Sequence, residues 1–254
     1  MIDIDSLNQQ DKNILEAQLL EFQVFLKKAQ TFLKKMKNDI AGYLTDKQML
    51  IKSYSGTAAT LAAYEDQNLS YYVEGDASKL VVNNMEAGNV IENLRHTVEN
   101  LRNPFTDLYH WVKGEIYDLA AFQAALNELK NAAAQVETLK KKITQGKADV
   151  DNITTGKKTM NTLFKNSGDV HTIQNKIEGY EREKEASERL HALTLIHLGK
   201  NVMGKFKAQK LRLYGRIIQQ FHVIEINNSH QLASFWSTMM KLPNVASANL
   251  AQVE

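Results

Sequence analysis

The sequence has no cysteine, only two prolines (Pro104 and Pro243), and 12 glycines that are scattered rather than clustered. Without cysteine there are no disulfides, thiolate metal centres or thiol nucleophiles, which fits a reducing compartment. Without a Pro/Gly/Ser-rich stretch there is no sign of an interdomain linker, so one structural unit is expected for the 254 residues. No apolar run approaches the roughly 18 residues that a membrane-spanning helix needs. The opening MIDIDSLNQQ is acidic and polar where a secretory signal is basic and then apolar. A chain that neither spans a membrane nor is exported is the expectation.

Catalytic signatures are missing as well. The seven histidines (His96, His110, His171, His191, His197, His222 and His230) form no H-E-x-x-H pair, and neither a Gly-rich phosphate loop nor a nucleophile elbow occurs. On a helix, His191 and His197 do not share a face, as a metal-ligating pair must. These patterns assign no catalytic residue, no metal and no cofactor.

What is present is charge in blocks. The net charge is only +2, yet residues 1–25 hold five acids against Lys12, and 64–118 hold ten acids against four bases. Residues 27–37 carry five lysines and no acid, 130–165 carry eight lysines against three acids, and 200–216 carry four lysines and two arginines with no acid. Basic patches of this kind attract polyanions, either an anionic leaflet or nucleic acid. The aromatics lie in apolar stripes rather than among the lysines, so there is no base-stacking platform, and nucleic acid is not an expected partner.

The apolar residues repeat on a coiled-coil period. Alternate steps of four and three give Leu15, Leu19, Phe22, Leu26, Ala29, Leu33, Met36, Ile40, Tyr43, Lys47, Leu50, Tyr54, Thr57, Leu61 and Tyr64. This predicts one continuous helix with an apolar seam, flanked by Phe25, Phe32, Leu44, Ile51 and Ala58. The polar EDQNLSYYVEGDASK segment at 65–79 reads as a loop. A second stripe runs Ile91, Leu94, Val98, Leu101, Phe105, Leu108, Val112, Glu115, Leu119, Phe122, Leu126, Leu129, Ala133, Val136, Lys140 and Ile143. It crosses Pro104 in phase, which predicts a kink rather than a break. After a turn at KNSGDV (165–170), a third pattern runs from Ile173 through Ile177, Tyr180, Leu190, Ile196, Met203, Phe206, Leu213, Ile217, Phe221, Ile224, Leu232 and Phe235 to Met239, and should stop at Leu242 before Pro243. The expected fold is all-α: an elongated antiparallel three-helix coiled coil with helices over roughly 10–64, 80–164 and 170–242. Such helices would be on the order of 80–120 Å long. Residues 1–9 form a short leading segment and 243–254 a tail. Phe105, Tyr109, Trp111, Phe221, Phe235 and Trp236 supply more aromatic area than one thin bundle covers, so they are the expected dimer interface.

This order of features resembles the BAR domain of the sorting nexin (PX-BAR) family: a heptad helix, a short polar loop (EDQNLS), a kinked second helix, a Lys-rich tip and an aromatic-ended third helix. The most similar stretches are KNSGDVHTIQNKIEGYEREKEASERL at 165–190 and GKFKAQKLRLYGRIIQQFHVIEINNSHQLASFW at 204–236. The resemblance implies a crescent-shaped dimer whose basic face and tips bind and bend anionic, phosphoinositide-containing membrane in endosomal trafficking. Carried over residue by residue, the tip would use Lys140, Lys141, Lys142, Lys147, Lys157, Lys158 and Lys165, and the inner face Lys200, Lys205, Lys207, Lys210, Arg212 and Arg216. The implied partners are a second copy or a related BAR protein, and the implied location is cytoplasmic, peripheral on an endosomal or other intracellular membrane. The family's usual PX domain and leading amphipathic helix have no counterpart in the ten or so residues before the first stripe, so either an excised domain or a relative without them is expected. The alternative function is a helical scaffold, or a divergent BAR domain acting in complex assembly without strong membrane binding.

Overall fold

A computed structural model describes residues 9–83, 90–157 and 168–240. The described residues are helical with short connections and no strand. Helix α1 spans Gln9–Gln67, α2 Val90–Asn100, α3 Pro104–Thr154, α4 Asp169–Ile196 and α5 Met203–Met240, and a π-helical turn at His197–Val202 joins α4 to α5. Three long helical stretches are therefore present, as the periodicity predicts. The predicted stop at Leu242 lies outside the described residues.

The contacts divide into two compact units. Contacts gather Met1–Phe32 with Ile116–Leu211, and Leu33–Glu115 with Arg212–Glu254. In the first unit Leu15, Leu19, Phe22 and Leu26 of α1 are buried, as are Leu119, Phe122, Leu126, Leu129, Val136, Leu139 and Ile143 of α3. Phe22 meets Phe122 at 5.3 Å and Phe206 at 6.2 Å between ring centroids. Here α3 runs antiparallel to α4 and α5, because Lys147 pairs with Glu181, Lys140 approaches Glu188, and Asp118 pairs with Lys210. Two glycines permit close approach: a Cβ on Gly146 would lie 2.8 Å from Ile177 Cγ1, and one on Gly199 would lie 2.8 Å from Leu15 Cδ2.

The second unit buries Ile40, Leu94, Leu101, Leu108, Val112, Ile217, Ile224 and Phe235. Phe105 sits between Tyr43 and Phe221, with centroids 5.6 and 5.1 Å away. Lys47, the charge in the α1 stripe, is half-buried in an ion pair with Glu225 at 2.8 Å.

Three expectations about the helices are corrected. The second helix, expected over 80–164, is interrupted: α2 ends at Asn100, residues 101–103 are not helical, and α3 starts at Pro104. Pro104 is thus the first residue of a helix, where its missing N–H costs nothing, rather than a mid-helix kink. Asn103 caps it, its Oδ1 accepting from Phe105 N at 3.1 Å. The break is held from both sides. Asn103 Nδ2 donates to Leu44 O at 2.8 Å. Buried Asn228 accepts from Arg102 N at 3.1 Å and donates to Arg102 O at 2.7 Å. The same helix also begins later and ends earlier than expected. Residues 80–83 are not helical, and the amides of Val81, Val82 and Asn83 are tied to the Glu65 carboxylate, while α3 stops at Thr154, just before Gly156 turns to φ +72°.

The α1 seam slips by one residue. After Ile40 the more buried row is Leu44, Lys47, Ile51, Tyr54, Ala62 and Glu65, whereas the expected Tyr43, Leu50, Leu61 and Tyr64 are about half exposed. From Leu15 to Glu65 the seam advances about 3.6 residues per step, the period of an unsupercoiled helix rather than of a strict heptad. Elsewhere, Leu139 replaces Lys140 in the α3 seam, Glu115 remains in it, and Leu190 faces outward on α4.

Candidate functional site

A groove of about 740 Å³ lies in the first unit, between the C-terminal part of α3 and the start of α4. Helix α3 contributes Lys141, Lys142, Gln145 and Asp149, spaced to share one flank of the helix. Helix α4 answers with Asp169, Thr172, Lys176 and Tyr180 at the same kind of spacing. Gly146 lets Ile177 sink between the helices and form the floor. The Lys142 ammonium stands 5.3 Å above the Tyr180 ring, which holds it against one wall. Asp149 is buried and accepts from Gln145 Nε2 at 3.1 Å. Lys141, Lys142 and Lys176 make no ion pair among the described residues.

The expected membrane-binding lysines divide into two groups. Lys140 pairs with Glu137 at 2.8 Å; that hydrogen bond holds the Lys140 ammonium above its usual pKa and the Glu137 carboxyl below its own. Lys147 pairs with Glu181 at 2.8 Å. Lys207 lies 4.8 Å over the Phe22 ring, and Lys210 pairs with Asp118 while covering Phe206. Charge that the sequence leaves open is therefore partly neutralised by acids on neighbouring helices. Lys141, Lys142, Lys200 and Lys205 in the first unit, and Arg212 and Arg216 in the second, are exposed and make no ion pair among the described residues. Lys157 is exposed beyond the end of α3. Lys158 and Lys165 lie outside the described residues.

The expected dimer-interface aromatics are largely engaged within the chain. Phe105 and Phe221 pack on one another, Trp111 lies 5.7 Å from Tyr214, Phe235 is buried, and Tyr109 is half-buried beside His110. Trp236, next to Phe235, is 46% exposed. Sequence reasoning missed the outward row Tyr43, Leu50, Leu61 and Tyr64 because it placed those residues inside the seam. It also missed Lys176 opposite Lys141 and Lys142, since a groove between two helices has no signature within either one.

Among the described residues no helix is long and apolar enough to cross a membrane, and no group of three or more His, Asp or Glu side chains could hold a metal ion. The architecture defines an all-α protein with coiled-coil-like packing. No protein-family model, curated protein or solved structure matches the chain. The likeness to sorting nexin BAR domains therefore rests on the sequence pattern alone.

Proposed function

We propose that the protein is a peripheral membrane-binding protein that self-associates and, as a dimer, senses or imposes curvature on anionic membranes of endosomal trafficking. The observation that carries this reading is the set of outward lysines in the first unit that make no ion pair among the described residues: Lys141, Lys142, Lys176, Lys200 and Lys205. Each basic residue near an anionic leaflet contributes about 1 kcal/mol, so one chain reaches modest affinity and a dimer a firm one. Salt weakens such attraction beyond a Debye length of about 8 Å at physiological ionic strength. Flotation with phosphatidylserine-containing vesicles tests it. Binding that falls steeply with salt is expected, and equal binding to neutral phosphatidylcholine vesicles refutes the electrostatic mechanism.

A second reading, a helical scaffold for complex assembly, is favoured by the row Tyr43, Leu50, Leu61 and Tyr64 on α1 in the second unit. Exposed apolar side chains on one helix face suit a protein partner, and in the first reading a second copy takes that place. Light scattering on the purified chain separates the two: a dimer that ignores anionic vesicles moves the assignment to the scaffold.

A further inference from the structure

We infer that the groove between α3 and α4 is a docking site for a helix of a partner protein, one with an apolar stripe and acidic flanks. This goes beyond the membrane reading, which uses the first unit's lysines without regard to what lies between them. Elsewhere in the unit three helices pack together, with Phe22 of α1 against Phe122 and Phe206. Leu15 meets Gly199 and Phe22 meets Phe206, so α1 runs parallel to α4 and α5. It begins at Gln9, and among the described residues it therefore stops well short of Tyr180 and the rest of the groove. There the described bundle is two helices deep, and its packing is thin. Of the 28 residues of α4 only Ile177, Leu195 and Ile196 are buried, and of these only Ile177 belongs to the groove. Helices draw most of their stability from burying an apolar face against neighbours, so a third helix is the occupant this stretch favours.

The lining sets the chemistry of that helix. Ile173, Ile177 and Tyr180 follow the i, i+4, i+7 spacing of one helix face and give the groove an apolar floor. Its rim is basic: Lys141, Lys142 and Lys176 are exposed and make no ion pair among the described residues, whereas Asp149 is buried and bonded to Gln145. Asp169, at the start of α4, is the one exposed acid among the lining residues. A convex helix reaches the floor with an apolar ridge while its flanking carboxylates meet the ammoniums; a flat leaflet rests on the lysines and leaves the floor uncovered. Lys142 is already braced on Tyr180, which lowers the ordering cost. The groove spans about two to three helical turns, the size of a transient contact.

The experiment presents the full chain with a library of stapled helices of about four turns, leucines fixed along one stripe and the other positions randomised. Selection is expected to enrich Glu and Asp beside the leucines. A selected helix should lose about tenfold in affinity with Lys142→Glu and again with Lys176→Glu, helical circular dichroism being unchanged. Ile173→Ser should weaken it by a similar factor, a loss that attraction between surface charges does not produce. Lys200→Glu, outside the groove, should change the affinity less than about twofold at physiological salt. Enrichment of basic or neutral sequences, a loss from Lys200→Glu equal to that from Lys142→Glu, or unaltered binding to Ile173→Ser overturns the inference. So does a different occupant. Loss of phosphatidylserine flotation in Lys142→Glu, with no helix selected, assigns the lysines to the leaflet. A dimer that Lys142→Glu dissociates, again with no helix selected, assigns the groove to a second copy. The membrane reading fails separately, when a chain that binds the selected helix floats with no anionic vesicle.

Discussion

Replacing Glu65 with glutamine should cost the fold far more than its position in a polar stretch suggests. Glu65 lies near the end of α1, is only 6% exposed, and accepts three backbone amides of the chain segment that returns toward α2. Its Oε1 takes Val81 N at 3.1 Å and Val82 N at 2.9 Å, and its Oε2 takes Val82 N at 2.9 Å and Asn83 N at 2.8 Å. Glutamine keeps the shape but turns one oxygen into an NH₂ group. Either Val81 or Asn83 then faces a donor, and the remaining bonds lose their charge assistance. Hydrogen bonds to charged groups contribute about 1.5–3 kcal/mol, and a buried unsatisfied donor costs about 1–3 kcal/mol. A loss of about 3 kcal/mol follows, a large share of the roughly 5–15 kcal/mol that holds a typical protein folded. Urea unfolding gives the global loss, and amide exchange at Val81, Val82 and Asn83 locates it. A change under about 0.5 kcal/mol, with exchange at the three amides unaltered, refutes the clamp.

Asn228→Asp keeps the acceptor for Arg102 N but sets a carboxylate against Arg102 O; a loss of about 2 kcal/mol is expected in thermal unfolding, and wild-type stability rules the bridge out as a stabilising element. Gly199→Ala drives a Cβ into Leu15 and should cost about 1 kcal/mol net, overpacking exceeding the gain in helix propensity. A double variant with Leu15→Val should recover part of that loss, and strict additivity refutes the contact. Glu137→Gln removes the nearer acid from Lys140, leaving Glu188 at 3.9 Å, and should raise affinity for anionic vesicles modestly, about twofold. Because the pair holds the Glu137 carboxyl below its ordinary pKa, its small contribution to stability is present at neutral pH and is lost as pH falls through that depressed value. Wild-type vesicle binding should therefore gain on acidification while Glu137→Gln gains less, and identical pH profiles contradict the pairing. Leu50→Glu places a charge in the exposed α1 row and should dissociate a dimer without unfolding the monomer, as read by sedimentation and circular dichroism.

The long helices were legible because their seams repeat through many turns, and the seam of α2 and α3 was nearly complete from Leu94 to Ile143. The break at 101–103 was legible in principle, since Asn-Pro is a helix-start pair; the uninterrupted phase of Leu101 and Phe105 argued more strongly for continuity. The α1 slip was not, because apolar residues stand on both rows, Tyr43 and Leu50 on one and Leu44 and Ile51 on the other. A heptad reading picks the wrong row once the drift passes half a spacing. The lysine patches were legible as composition but not as charge available to a ligand. Whether Lys140 or Lys141 faces an acid depends on Glu137 at one turn's distance and on Glu188 from a helix nearly fifty residues away. Glu65 had no signal in sequence, because a buried carboxylate clamping a loop looks like any acid at a helix end.

The π-turn at His197–Val202 has a genetic consequence. It accommodates one residue more than an α-helix of the same rise, so the chain carries the equivalent of a single-codon insertion that the fold has absorbed. Removing one codon there would leave a regular helix of nearly the same rise and rotation, so the residues after it keep their faces. Phe206 would stay against Phe22 and Phe122, and Lys210 against Asp118. A single-residue deletion inside the turn is therefore expected to be better tolerated than one in the regular helix on either side, where the same loss turns everything after it by about 100°.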